Sequence, residues 1–303
     1  MSASAGMAPT NRASAAPPLP RSPFSHCANR RCATGWMHLW RSRRAPVFEG
    51  GWACSPGCMA ELVLLAVRRE IALGPGAPYR HRIPLGLLLV EQGHITPEQL
   101  RDGLRCQEQS ADTGAEALHL GQWLVGSGIL SETVLTRALS GQWNCPVFSP
   151  GAYRAADVAS ALPRFLAEAL GVLPLRVLGG RTLCLAFSHR IDRTLAYAAE
   201  RMLGLQVAPG IVGDSEFRAA EAEFLAAPAP RARFLETSGT PALARLVTAL
   251  AEEEKPFEAR LARVHGFWWL RLWRRTPPGS GLPECADVED ILCAIGGSTG
   301  GFR

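Results

Sequence analysis

The chain has 303 residues, of which 47% are apolar and 19% charged, and its formal net charge is +5. This is enough for two or three compact domains and excludes a fully disordered protein. The apolar runs IPLGLLLV and MAELVLLAV fall well short of the roughly 20 residues of a membrane-spanning helix, so no transmembrane segment is expected.

Residues 1–23 carry an Ala/Ser/Pro bias without the apolar centre of a secretory signal, which predicts a disordered arm and a cytoplasmic chain. Lys255 is the sole lysine, an arginine bias that reads as GC-rich coding more readily than as a nucleic-acid surface. Nine cysteines in a reducing compartment point to metal or buried thiols before disulfides.

Residues 24–75 hold four of those cysteines. Cys27 and Cys32 form a C-x4-C pair, and Cys54 and Cys58 a C-x3-C pair in GGWACSPGC, opening an apolar helical stretch from Met59. Two close pairs of thiolates suit tetrahedral structural zinc, because each turn presents two sulfurs to one ion. The alternative is four free thiols in a small apolar subdomain. Between the pairs, Trp36, Trp40, Arg41, Arg43 and Arg44 suit phosphates and bases, which leaves a zinc-dependent nucleic-acid-binding protein as the second reading. The same residues equally suit a covered metal site with solvated arginines. His26 and His38 are available as replacement ligands.

A repeat follows. Leu85, Gly86, Leu89, Val90, Gly93, Leu100, Leu104 and Gln107 recur as Leu120, Gly121, Leu124, Val125, Gly128, Leu135, Leu139 and Gln142, each displaced by 35 positions. Each copy reads as a helical hairpin: a short helix, a stop at Gly93 or Gly128, and a second helix. Thr96 with Pro97 and Gln99 predicts an N-terminal capping box in the first copy, and Ser131 takes the cap position in the second. Leu100 with Leu104, and Leu135 with Leu139, are spaced to share one helix face and bury a common leucine seam. Downstream, VLPLRVL and RTLCLAF flank Gly179 and Gly180 as a β-hairpin, and LQVAPGIV supplies a third strand between helical stretches.

The tandem pattern LG-x-x-LV-x-x-G-x(6)-L-x(3)-L-x-x-Q, continued by CPVFSP (145–150) and by residues 162–192 and 203–224, resembles the N-terminal domain of type II secretion and type IV pilus assembly ATPases, the MshEN or GspE N-terminal type. The resemblance covers residues 80–226. It implies cyclic di-GMP as ligand and a secretion or pilus machinery protein as partner. It places the ligand on Leu85, Gly86, Leu100, Leu104, Gln107, Leu120, Gly121, Leu135, Leu139 and Gln142. A cyclic dinucleotide has two equivalent halves, so two hairpins would each receive one. The family's guanine-binding arginine before each LG is missing, with Pro84 and His119 in its place. The family's acidic turn is replaced around His189 and Arg190, an extra EQSADTGAEA (108–117) separates the copies, and Arg80 and Arg82 are the nearest substitutes. A purely structural or docking scaffold is the open alternative.

Residues 227–239 read as linker. Residues 240–276 resemble the helix and strands that open the ATPases' next domain, with a helix to about Glu254 and a hairpin around His265 and Gly266. Phe267, Trp268, Trp269 and Trp273 with Arg271, Arg274 and Arg275 read as a half-buried hairpin, with a membrane-surface or partner contact as the alternative. Residues 277–303 read as a flexible tail with a short helix. No G-x(4)-G-K-[ST] loop occurs, and GGSTGG lacks the phosphate-binding lysine, so no ATP hydrolysis and no enzyme is expected. The expected fold class is α+β: a zinc module, tandem helical hairpins followed by a small α/β sandwich, and a C-terminal helix plus β-hairpin.

Overall fold

The computed structural model describes residues 26–33, 47–73, 83–112, 119–151 and 153–296. Among them the fold is α+β, as the sequence pattern implied, and it has two mixed sheets. The stretch carrying Trp36, Trp40, Arg41, Arg43 and Arg44, along with Arg80, Arg82 and the arm 1–23, lies outside the described residues. No helix among the described residues is long and apolar enough to cross a membrane.

The chain opens with a short hairpin, β1 (Val47–Phe48) and β2 (Gly51–Trp52), and a helix α1 (Pro56–Leu73). The repeats form α2 (Leu85–Glu91), α3 (Pro97–Asp112), α4 (Leu120–Gly126) and α5 (Glu132–Trp143). The first part of the inserted segment is therefore helical, a continuation of α3. Next come α6 (Arg164–Leu170) and the hairpin β3 (Val172–Leu178) and β4 (Thr182–Phe187). Gly179 and Gly180 turn that hairpin with φ of +56° and +67°, values a Cβ would disfavour. Helix α7 (Arg193–Leu203) crosses over to β5 (Gln206–Ile211), parallel to β4, and α8 (Asp214–Ala226) follows. The crossover is required because parallel neighbours cannot be joined by a tight turn.

The second sheet runs β2-β1-β7-β8-β9-β6. Its strands are β6 (Arg231–Thr237), β7 (Glu258–Val264), β8 (Phe267–Trp273) and β9 (Val288–Ile295), with α9 (Thr240–Glu254) between β6 and β7. This corrects four expectations. The segment expected to be linker contains β6, and the segment expected to be a tail with a short helix contains β9, parallel to β6 and antiparallel to β8. Partners so distant in sequence leave no local pattern. The cysteine segment is no free-standing module: Phe48 pairs in parallel with Ala259, and Met59, Val63 and Val67 of α1 share a core with Leu243, Val247 and Ala251 of α9. The Trp/Arg hairpin is not half-buried, because β8 is covered on both faces. Trp268, Leu270 and Leu272 join the core with α1 and α9, and Trp269 joins the core built on the three-stranded sheet. Trp268, Trp269 and Trp273 are 3%, 0% and 1% exposed, which removes the membrane-surface or partner contact as a reading of these tryptophans.

The two halves are latched at the β7–β8 turn. His265 adopts a left-handed φ of 52° and contacts the carboxylate of Asp192, the N-cap of α7, which also accepts from the Leu195 N–H at 2.9 Å.

Candidate functional site

The four cysteines of the N-terminal segment converge. Cys27 and Cys32 come from one loop, Cys54 lies two residues past the end of β2, and Cys58 lies in the first turn of α1. Their sulfurs all lie within 4.8 Å of one another, with Cys32 Sγ 3.5 Å from Cys54 Sγ and Cys54 Sγ 3.6 Å from Cys58 Sγ. Four thiolates at about 2.3 Å around a tetrahedral ion stand about 3.8 Å apart, so the spacing fits such an ion. None of the nine cysteines is in a disulfide. Burial pushes the Cys27 thiol up to about 12, so this sulfur becomes a thiolate only where a cation compensates the charge.

The repeated hairpins copy one another closely. Pro84 precedes α2 at φ −55°, ψ 141°, and His119 precedes α4 at φ −73°, ψ 143°. The helices end at Gln92 (φ −78°, ψ −2°) and Ser127 (φ −80°, ψ −1°), followed by Gly93 at φ +70° and Gly128 at φ +73°. Gly86 and Gly121 let each first helix approach the second: a Cβ at Gly86 would overlap Leu100 Cδ1, and one at Gly121 would lie 3.0 Å from Leu135 Cδ2. The caps form as expected. Thr96 N–H donates to Gln99 Oε1 at 2.8 Å while Gln99 N–H donates to Thr96 Oγ1 at 3.2 Å, and Ser131 Oγ accepts from Val134 N–H.

The sequence-derived ligand residues separate by copy. Leu135 and Leu139 are each 7% exposed, and Gly86 and Gly121 are buried. Leu85, Leu100, Leu120, Gln107 and Gln142 are half-buried, and Leu104 is 44% exposed. The shared leucine seam therefore fails at Leu104: α5 packs on β5, whereas α3 packs on α4 and α2. Gln142 Nε2 donates to the Ile83 carbonyl at 2.8 Å, tying the end of the second copy to the start of the first.

A polar cluster that sequence reasoning missed sits at the entrance to α4. The rings of His119 and His189 lie 5.7 Å apart at 57°, and His189 Nε2 is 3.8 Å from Asp214 Oδ1. Arg218 Nη2 holds Asp214 Oδ2 at 2.8 Å. Burial holds His189 below its usual range, with Asp214 opposing and His119 assisting the shift. Nearby, Glu132 at the start of α5 accepts from Ser215 N–H at 2.7 Å and Oγ at 2.9 Å, anchoring the second hairpin to α8. Only the replaced turn at His189 hinted at this cluster, because its members are far apart in sequence.

No family model matches the chain, and no curated protein matches it. Solved structures do. A structure of MshE with cdg is 28% identical, covers 47% of this chain and 99% of that chain, and has a TM-score of 0.39. The N-terminal domain of XpsE is 18% identical, covers 46% of this chain and 92% of that one, and has a TM-score of 0.34.

Proposed function

We propose that the chain is a non-enzymatic regulatory or adaptor protein of the kind found at the N-termini of secretion and pilus ATPases. On this reading it works in the cytoplasm beside a machinery protein and takes cyclic di-GMP across its two hairpins. The supporting observation is the near-identity of the two copies in backbone and in their Gly–Leu contacts, which presents two equivalent helix entrances to a ligand with two equivalent halves. Pro84 and His119 hold those entrances. A neutral imidazole offers one N–H where a guanidinium offers a planar fork, and proline offers none, so guanine is held weakly. The structural metal is zinc, on the four sulfurs of Cys27, Cys32, Cys54 and Cys58.

Calorimetry on the whole chain tests the ligand. Cyclic di-GMP should bind, and Gln107→Ala and Gln142→Ala should each weaken it about tenfold through a lost polar contact. Pro84→Arg with His119→Arg should tighten it, because both positions already have the extended backbone an arginine adopts without strain. Heat in neither protein means that the hairpins are a scaffold, and the receptor reading falls.

A further inference from the structure

The cysteines join three pieces of chain: the Cys27–Cys32 loop, the β1–β2 hairpin and the start of α1. Ala28 N–H donates to the Trp52 carbonyl at 2.8 Å, and a Cβ on Gly51 would lie 2.7 Å from Ala28 Cβ, so the loop lies flat on β2. A hairpin with two residues per strand has little stability of its own. Its orientation relative to α1 is set where Cys54 and Cys58 meet Cys32 and Cys27.

That orientation brings two acids together. Glu49 sits in the β1–β2 turn, and Glu70 lies about three turns along α1 from Cys58. Arg69 bridges them: its Nη1 and Nη2 each reach the Glu49 carboxylate at 2.8 Å, and its Nε reaches Glu70 at 3.3 Å. Arg201, in the last turn of α7, inserts between the two acids. Its Nη2 lies 2.9 Å from Glu49 Oε1, and its Nη1 contacts Glu70. Glu70 is 4% exposed at its side chain and also accepts from the Arg263 N–H of β7. Arg260 grips the same helix end from β7, donating from Nη1 to the Met202 carbonyl at 2.9 Å. Helix α7 is the crossover of the three-stranded sheet, whose neighbour α5 belongs to the second repeat.

We propose that metal capture by the four cysteines governs the Glu49–Glu70 clamp on Arg201, and through it how firmly the sheet adjoining the repeats is held to the six-stranded sheet. Metal occupancy is then a control on the posture of the repeat-bearing half, beyond a local staple. The inference rests on the zinc reading, and the test separates the two.

The test is hydrogen exchange read by mass spectrometry on the whole chain, with metal content measured in parallel. Chelation should release about one zinc and speed exchange roughly tenfold or more in residues 47–70 and in the last turn of α7, while β8, β9 and α5 stay protected. Glu70→Gln should keep its zinc and loosen only the end of α7. Zinc release that leaves α7 unchanged overturns the inference and spares the zinc reading. Loss of protection throughout β8 and β9 on chelation also overturns it, because the metal would then hold the whole fold. Absence of zinc from freshly purified, reduced protein overturns both.

Discussion

Arg271 and Asp290 are direct cross-strand partners on β8 and β9, and both side chains are almost completely buried. The guanidinium meets the carboxylate twice, Nε to Oδ1 at 2.7 Å and Nη2 to Oδ2 at 2.8 Å, while Trp269 Nε1 donates to Oδ1 at 2.7 Å. Asp290→Asn keeps the volume and removes the charge, leaving an arginine in the core without its counter-ion. Removing one partner of such a pair costs about 3–5 kcal/mol. Arg271→Met with Asp290→Leu removes both charges. It forfeits the Trp269 hydrogen bond, about 1–3 kcal/mol, and the Arg271 contact over the Trp269 ring 5.0 Å from its centroid, against the desolvation it no longer carries. The double variant should therefore be more stable than Asp290→Asn, by about 2 kcal/mol. Urea titration followed by tryptophan fluorescence reports this directly, since Trp268 and Trp269 lie beside the pair on β8. An Asp290→Asn variant within about 1 kcal/mol of the wild type, or a double variant as unstable as the single one, would refute the reasoning.

Two further outcomes follow from the sites. Cys54→Ser should lose the metal and lower the thermal midpoint, because the sulfur that meets both Cys32 and Cys58 is replaced; metal analysis with calorimetry checks it, and retained zinc would contradict the ligand set. His189 has a folded pKa below its ordinary 6.5, so as pH falls below 6.5 the unfolded chain takes up the proton first and the fold loses stability. Above 6.5 the contribution is fully present. His189→Gln should flatten that dependence between pH 5 and 7 in denaturation curves, and an unchanged slope would remove His189 as its source.

The elements that were legible in the sequence carry their cause locally. The capping box of Thr96 and Gln99, the Gly179–Gly180 turn and α9 from Thr240 to Glu254 all depend on residues a few positions apart. The cysteine cluster was legible because thiol pairs at such spacings have few other uses. β9 was not: VEDILCAI falls in the segment read as a flexible tail with a short helix, and its buried acids are matched by arginines distant in sequence, Asp290 by Arg271 and Glu289 by Arg231, Arg233 and Arg274. β6 was hidden in the same way, since its one strand partner lies more than fifty residues further along the chain. The His119–His189–Asp214 cluster needed three elements to be placed before it existed.

Two copies that began alike now have unequal neighbours, and this bears on what binding could do. The second hairpin is locked: Leu135, Ala138 and Leu139 enter the main core, and Glu132 is held by Ser215. The first rests mainly on the second, through α2 against α5, α3 against α4 and the Gln142 bond to Ile83, while Leu87 and Leu104 stay exposed at 55% and 44%. The first copy sends Leu89 and Ile95 into the same core, so opening it sacrifices fewer buried contacts than opening the second. On the reading proposed above, a ligand spanning both entrances would meet two half-sites of like backbone, the second held to the rest of the fold by more contacts than the first. The asymmetry also predicts an order of opening: in hydrogen exchange the amides of α2 and α3 should exchange sooner than those of α4 and α5, and equal protection of the two hairpins would show that their unequal neighbours do not set their stability.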